Sequence, residues 1–231
     1  AMKLPEGVSL VNARICDEND DIMLVTAKGR AIRFPTTEVR VFKSRGSTGV
    51  RGIKLAAGDK VVSMSVVRHF EATSDERIAY LKMRRAMAGV DDAADAGDED
   101  ETGADMALDQ ARFDEMQAAE DLILTISAKG AGKISSSHGY PVRGRGGLGV
   151  MAMDKAMRGG DLVASFPVEP DDQIMMATST GQSIRCPVAG ISFRSRSAGG
   201  VKVFDTSKGE VVVSVARIAD KGEDEDETSE A

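Results

Sequence analysis

Three stretches of this chain follow one template, and this internal repeat limits the possible folds more than any other feature. The first copy runs from DIMLVTAKGRAIRF at Asp21 to Ser63, the second from DLILTISAKGAGKI at Asp121 to Ser165, and the third from QIMMATSTGQSIR at Gln173 to Ser214. Three landmarks recur in each: a hairpin glycine (Gly29, Gly130, Gly181), a second glycine (Gly49, Gly149, Gly200), and a glycine followed by an acid (Gly58-Asp59, Gly160-Asp161, Gly209-Glu210). The hairpin glycines of copies two and three lie 51 residues apart, and those of copies one and two lie 101 apart. An insertion of about one repeat length therefore separates the first two copies.

Each copy predicts four short strands. In copy one an apolar run, Ile22 to Val25, meets a turn at Lys28-Gly29, and Arg30 to Phe34 returns. A polar loop follows. Val50 to Leu55 and Val61 to Val67 then read as a second hairpin around Gly58-Asp59. Four strands in roughly 50 residues is the size of a propeller blade. The blades are expected at about 21–67, 121–166 and 173–218 within a β region spanning 3–219. Residues 3–15, containing GVSLVNARI, resemble the end of a preceding blade, and Ala1-Met2 reads as an appended start to a longer native chain. The 69–118 insertion differs in character. Thr73-Ser74-Asp75-Glu76 has capping-box spacing ahead of a helical stretch, and a second helical stretch starts near Asp105. This predicts a helical hairpin with an acidic loop at its tip.

Charge is segregated along the chain. Residues 91–105 carry a net −8 and residues 220–231 a net −6, so setting both aside turns the formal −7 of the whole chain into +7 for the rest. Acidic runs this dense bury little apolar surface and are expected to be disordered. The tail at 220–231 either competes with a polyanion for the basic surface or keeps the chain soluble. A basic folded part suits a polyanionic partner.

The basic residues gather in the turns and polar loops. Copy one offers Lys28, Arg30, Arg33, Arg40, Lys43, Arg45 and Arg51; copy two Lys129, Lys133, Arg143 and Arg145; copy three Arg185, Arg194, Arg196 and Lys202. Equivalent loops of a repeat array face one way, so these cations should line a curved rim suited to the phosphate backbone of bent duplex DNA. The competing reading is an ordinary solvated surface. Aromatic residues make up only 4% of the chain, too few to stack on single-stranded nucleic acid or RNA. The glycine-rich loop Arg143-Gly144-Arg145-Gly146-Gly147-Leu148-Gly149 would bring backbone N–H groups close to phosphates.

Catalytic and metal chemistry find little support. The two histidines, His69 and His138, are far apart in sequence, and no zinc-protease, nucleophile-elbow or P-loop spacing occurs. Cys16 and Cys186 form no spaced pattern, which suits a reducing cytoplasm. No apolar run approaches the roughly 20 residues of a membrane span. We expect no catalytic residue, metal or cofactor in this domain.

TAKGRAIRF, STGVRGIKLAAGDKVVSM and DDQIMMATSTGQSIR, together with the acidic tail, resemble the C-terminal domain of the DNA gyrase A protein. The resemblance implies an all-β fold: a propeller-like β-pinwheel of four-stranded blades that exchange strands, here about three complete blades plus part of another. It also implies sequence-independent binding and wrapping of double-stranded DNA in support of ATP-dependent negative supercoiling. The implied setting is an A2B2 holoenzyme in the cytoplasm, associated with the nucleoid, whose ATP and Mg²⁺ chemistry lies outside this domain. The family's first blade carries a box reading Q-[KR]-R-G-G-[KR]-G. Arg145, Gly146, Gly147 and Gly149 match it here, whereas Arg143, Gly144 and Leu148 differ, which implies a degenerate copy with the true box upstream. The equivalent domain of topoisomerase IV remains an alternative, as does a propeller-type protein-interaction platform.

Overall fold

The structure is a computed structural model that describes residues 4, 6–43, 46–90 and 107–219. The acidic runs expected to be disordered and Arg45 lie outside the described residues. Eleven strands form three antiparallel sheets among those residues, one for each copy. Copy one supplies β1 (Asp20–Thr26), β2 (Arg30–Pro35) and β3 (Val61–Arg68). Copy two supplies β4 (Leu122–Ser127), β5 (Ala131–Ser136), β6 (Val150–Met151) and β7 (Leu162–Val168). Copy three supplies β8 (Gln173–Thr178), β9 (Ser183–Pro187), β10 (Val201–Lys202) and β11 (Val212–Ile218).

The sheets do not respect the copy boundaries. Their strand orders are β3-β1-β2-β6, β10-β5-β4-β7 and β11-β8-β9. The short strand of copy two thus completes the sheet of copy one, with Val150 opposite Ala31 and Met151 opposite Arg30. The short strand of copy three completes the sheet of copy two, with Val201 opposite Gly132. This corrects the expected second hairpin. Val50–Leu55 forms no ladder with β3 and is not a strand. The equivalent residues of the later copies are spent on the preceding blade, where they cover an outer edge that would otherwise expose unpaired backbone groups. Gly7–Ile15, expected to end a preceding blade, also forms no strand; Asn12 touches β3 by donating to the carbonyl of Met64 at 3.4 Å.

Side-chain alternation along the strands explains why the blades stack. Met23, Val25, Ala31 and Val67 face copy two and pack with Ile123, Tyr140 and Val150. Leu124, Ile126 and Ile134 face copy three and meet Ile174, Met176 and Val212. The opposite face of copy one carries Ile32, Phe34 and Ile53, flanked by Ile22 and Leu24. Inner strands β3, β7 and β11 line a common cavity of about 660 Å³.

The recurring glycine–acid pairs lock the hairpin turns. In copy one, the Lys28 and Lys60 N–H groups both donate to one Asp59 oxygen, at 2.9 and 2.8 Å. In copy three, Thr178 and Thr180 hydroxyls donate to Glu210. Copy two uses the main chain instead, with Ala128 N–H donating to the Asp161 carbonyl at 2.8 Å.

The insertion forms α1 (Ser74–Met87) and α2 (Gln110–Ala118). Thr73 and Glu76 make the full capping box, and Asp109 caps α2 by accepting from Arg112 N–H. Tyr80, Leu81, Leu108, Phe113 and Met116 form a small separate core. A short helix, α3 (Lys155–Arg158), lies in copy two. Among the described residues, no helix is long and apolar enough to cross a membrane.

Candidate nucleic-acid interface

Two straps carry half of the basic candidates of copies two and three: Arg143 and Arg145 on the first, Arg194 and Arg196 on the second. After Tyr140, residues 141–149 cross the outer edge of blade one before becoming β6. Arg143 N–H donates to the Arg33 carbonyl at 2.9 Å, Gly146 N–H to the Gly52 carbonyl at 2.5 Å, and the Gly147 carbonyl accepts from Lys54 at 2.8 Å. Arg145 clamps this strap: its backbone N–H donates to the Glu38 carboxylate at 2.8 Å and its guanidinium to the Glu38 and Arg51 carbonyls. The glycines of this loop therefore have a packing role. Gly149 has φ +69°, and a Cβ there would lie 2.2 Å from the Ala31 oxygen. The second strap, 192–199, crosses blade two in the same way, and Arg194 N–H donates to the Ile134 carbonyl at 2.8 Å.

Most of the proposed cations reach solvent. Lys28, Arg30, Arg40, Lys43, Arg51, Lys129, Arg143, Arg145, Arg185 and Lys202 are exposed, and Arg194 is half-buried. Several are tethered. Lys28 Nζ donates to the Ala57 carbonyl at 2.6 Å, Lys129 Nζ to the Glu210 carbonyl at 3.0 Å, and Lys202 pairs with Asp205 at 3.1 Å.

Three candidates are withdrawn from the surface. Arg33, Lys133 and Arg196 are buried. Arg33 bonds Asp21 through Nε at 2.7 Å and reaches the Ser137 and Arg68 carbonyls, tying blade one to blade two. Lys133 Nζ donates to the carbonyls of Ser195, Arg196 and Ala198, which pins the second strap. Arg196 donates to the carbonyls of Gly139 and Met151 between the blades. Burial without such partners would be too costly for a cation. These three side chains act as internal staples.

Sequence inspection overlooked the cations of the insertion and its attachment. Arg68, with its side chain half exposed, pairs with Asp121 at 2.9 Å and donates to the Ala118 and Glu120 carbonyls. Arg77 Nε donates to the His138 carbonyl at 2.9 Å. The single hint in the sequence was the density of bases in α1.

The histidines are structural and respond oppositely to pH. Burial pulls the His69 imidazole down, but the hydrogen bonds it donates to the Glu71 and Asp21 carboxylates outweigh it, so its pKa is raised. Burial dominates at His138 and lowers its pKa, although the Met116 carbonyl opposes the shift. A raised folded pKa gives stabilisation that is complete below the unfolded value, about 6.5, and is lost as pH rises through the folded one. For His138 the stabilisation is complete above about 6.5 and is lost as pH falls toward the lowered folded value. His69→Gln should therefore lower the urea midpoint most near pH 5.5. The deficit should shrink as pH rises through the raised pKa, and a deficit growing with pH would contradict this assignment.

Stacked blades, two of four strands and one of three, that trade outer strands, with exposed cations at the turns and on the first strap, define a propeller-type repeat domain with a basic periphery. Among the described residues no cluster of three or more His, Cys, Asp or Glu side chains could hold a metal. The family model described as "DNA gyrase C-terminal domain, beta-propeller" matches residues 20–68, 121–166 and 172–219. The chain belongs to that DNA gyrase C-terminal domain family. It is 44% identical to the DNA gyrase A protein of Granulibacter bethesdensis, over all of this chain and 26% of that protein. It is 38% identical to the DNA gyrase A protein of Rickettsia bellii, over all of this chain and 25% of that protein. The chain thus spans about a quarter of the length of these curated relatives. Among solved structures, the C-terminal domain of DNA topoisomerase IV superposes with a TM-score of 0.66 at 19% identity, covering 94% of this chain and 52% of the other, which supports the fold.

Proposed function

We propose that this domain binds duplex DNA without sequence preference and bends it along its outer straps, as a non-catalytic part of a gyrase A protein. In this reading it supports negative supercoiling by a complex of gyrase A and gyrase B proteins in the cytoplasm at the nucleoid, and the ATP and Mg²⁺ chemistry lies outside this domain. The observation that carries the reading is the recurrence of cations at equivalent places of blades one and two: exposed Lys28 and Lys129 at the turns, and exposed Arg143 and half-buried Arg194 on the straps. Repeating cations along a curved array suit the regularly spaced phosphates of a bent duplex.

The test is the salt dependence of affinity for a mixed-sequence duplex. Contact with about six phosphates gives a slope of log K against log[salt] near −5, so binding should weaken about a thousandfold between 50 and 200 mM salt. Arg30→Gln combined with Arg143→Gln should make the slope shallower by about two. A flat salt response, or equal affinity for a neutral polymer, overturns the proposal. A topology assay on relaxed circular DNA then reports whether binding imposes a handed wrap.

A further inference from the structure

The inserted helical lobe grips both straps. The family match covers 20–68 and 121–166 but not the residues between them, so the lobe is an addition to the repeat. In the first turn of α1, Arg77 Nε donates to the His138 carbonyl at 2.9 Å. The lobe also clasps the His138 ring, which lies 5.0 Å from that of Tyr80 and 5.7 Å from that of Phe70 and donates through Nε2 to the Met116 carbonyl at 2.8 Å. His138 sits in the turn Ser137–Gly139, directly ahead of the first strap. In the last turn of α1, the Arg84 guanidinium, held by Glu120 at 3.0 Å, stacks 4.7 Å from the centroid of Phe193 in the second strap.

Helix geometry turns these two grips into a spacer. Arg77 and Arg84 are seven residues apart, about two turns, so they leave the same side of α1 with about 10 Å of axial rise between them. Tyr80 and Leu81 lie on that same stripe and are buried, which keeps the stripe turned inward. Blade three has no such brace, because the chain passes from β7 to β8 through residues 169–172. Affinity for phosphates counts the cations that reach the duplex, whereas bending depends on where those cations stand relative to one another. Straps free to shift would follow a straight duplex; straps held apart make the duplex bend to reach both. The competing account is a lobe that only adds stability.

We propose that α1 is a spacer that sets the separation of the two straps and thereby the bend imposed on the duplex, with Arg77 and Arg84 as positioning residues that do not touch DNA. This rests on the DNA-binding reading above. It requires bending to be lost while phosphate contacts are kept.

The experiment uses the full chain carrying Arg77→Met and Phe193→Leu, which release both grips but keep the apolar stems and the Arg84–Glu120 pair. A companion with Arg77→Lys and Phe193→Tyr keeps a donor and a ring. Spin labels at Leu148→Cys and Ser192→Cys, both exposed positions, report strap separation without DNA in a Cys16→Ser/Cys186→Ser background. Relaxed circular DNA reports the linking-number change, and a duplex titration reports the salt slope. The released pair should show a broader label distance distribution and a linking-number change about twofold smaller, at the wild-type salt slope. The companion should match the wild type in all three. A wild-type distance distribution or a wild-type linking-number change in the released pair overturns this inference and leaves the strap reading standing. A shallower salt slope also overturns it, since Arg77 would then be contacting phosphate. A flat slope in the wild-type chain overturns the DNA reading, and the label distances then decide by themselves whether α1 fixes the straps.

Discussion

Arg33→Ala is expected to destabilise the fold by about 3–5 kcal/mol, the usual cost of leaving one member of a buried ion pair unpaired. The Arg33 and Asp21 side chains are 2% and 0% exposed. Removing the guanidinium leaves Asp21 buried with His69 as its remaining ionic partner, and strips a donor from both the Ser137 and Arg68 carbonyls. Those two carbonyls belong to blade two and to the end of β3, so the loss falls on the junction between blades. Asp21→Leu combined with Arg33→Met should recover much of the stability, because removing both charges avoids the desolvation cost. Urea unfolding measures both variants. An Arg33→Ala chain that unfolds at the wild-type midpoint but binds DNA less tightly would return Arg33 to the surface role its sequence context suggested.

Gly149→Ala is the second large effect, about 2–4 kcal/mol. Two costs combine there: φ +69° strains any L side chain by roughly 1–2 kcal/mol, and the new methyl would stand 2.2 Å from the Ala31 oxygen. That oxygen belongs to the residue opposite Val150, so the clash would pry β6 off the edge of blade one. Gly181→Ala provides the contrast. Its φ of +87° is equally unfavourable, but nothing lies within 4 Å of a new Cβ. Only the strain of roughly 1–2 kcal/mol should appear. Similar losses at both glycines would mean that strand exchange contributes little to stability. Gly200, where a Cβ would meet Gly132 backbone at 2.7 Å, should behave more like Gly149.

The repeat could be found without coordinates because its landmarks are local. A turn glycine beside alternating apolar residues marks a hairpin wherever it occurs, and Thr73 with Glu76 marks a helix start. The family resemblance was carried by such strings. Site residues were harder to place. Arg33, Lys133 and Arg196 have the same composition and loop proximity as Arg30, Lys129 and Arg194, and chain position alone did not separate them. Arg33 and Lys133 do sit inside strands rather than at turns, which is a hint of burial. For Arg196 there was none, because its partners, Gly139 and Met151, are 57 and 45 residues away.

The strand exchange was likewise out of reach of the residues themselves. Val50, Val150 and Val201 follow equivalent glycines, and each reads as the start of a hairpin within its own copy. Which edge such a strand joins depends on the unpaired backbone groups that come near it, and those lie on another copy. The amino-acid sequence by itself determined the repeat, the all-β class, the inserted helices and the segregation of charge, because short-range periodicity and turn chemistry encode all of these. Tertiary structure alone decided which blade each short strand completes and which cations face solvent. Both outcomes are set by contacts between residues tens of positions apart, where burial turns a charged side chain into an internal staple.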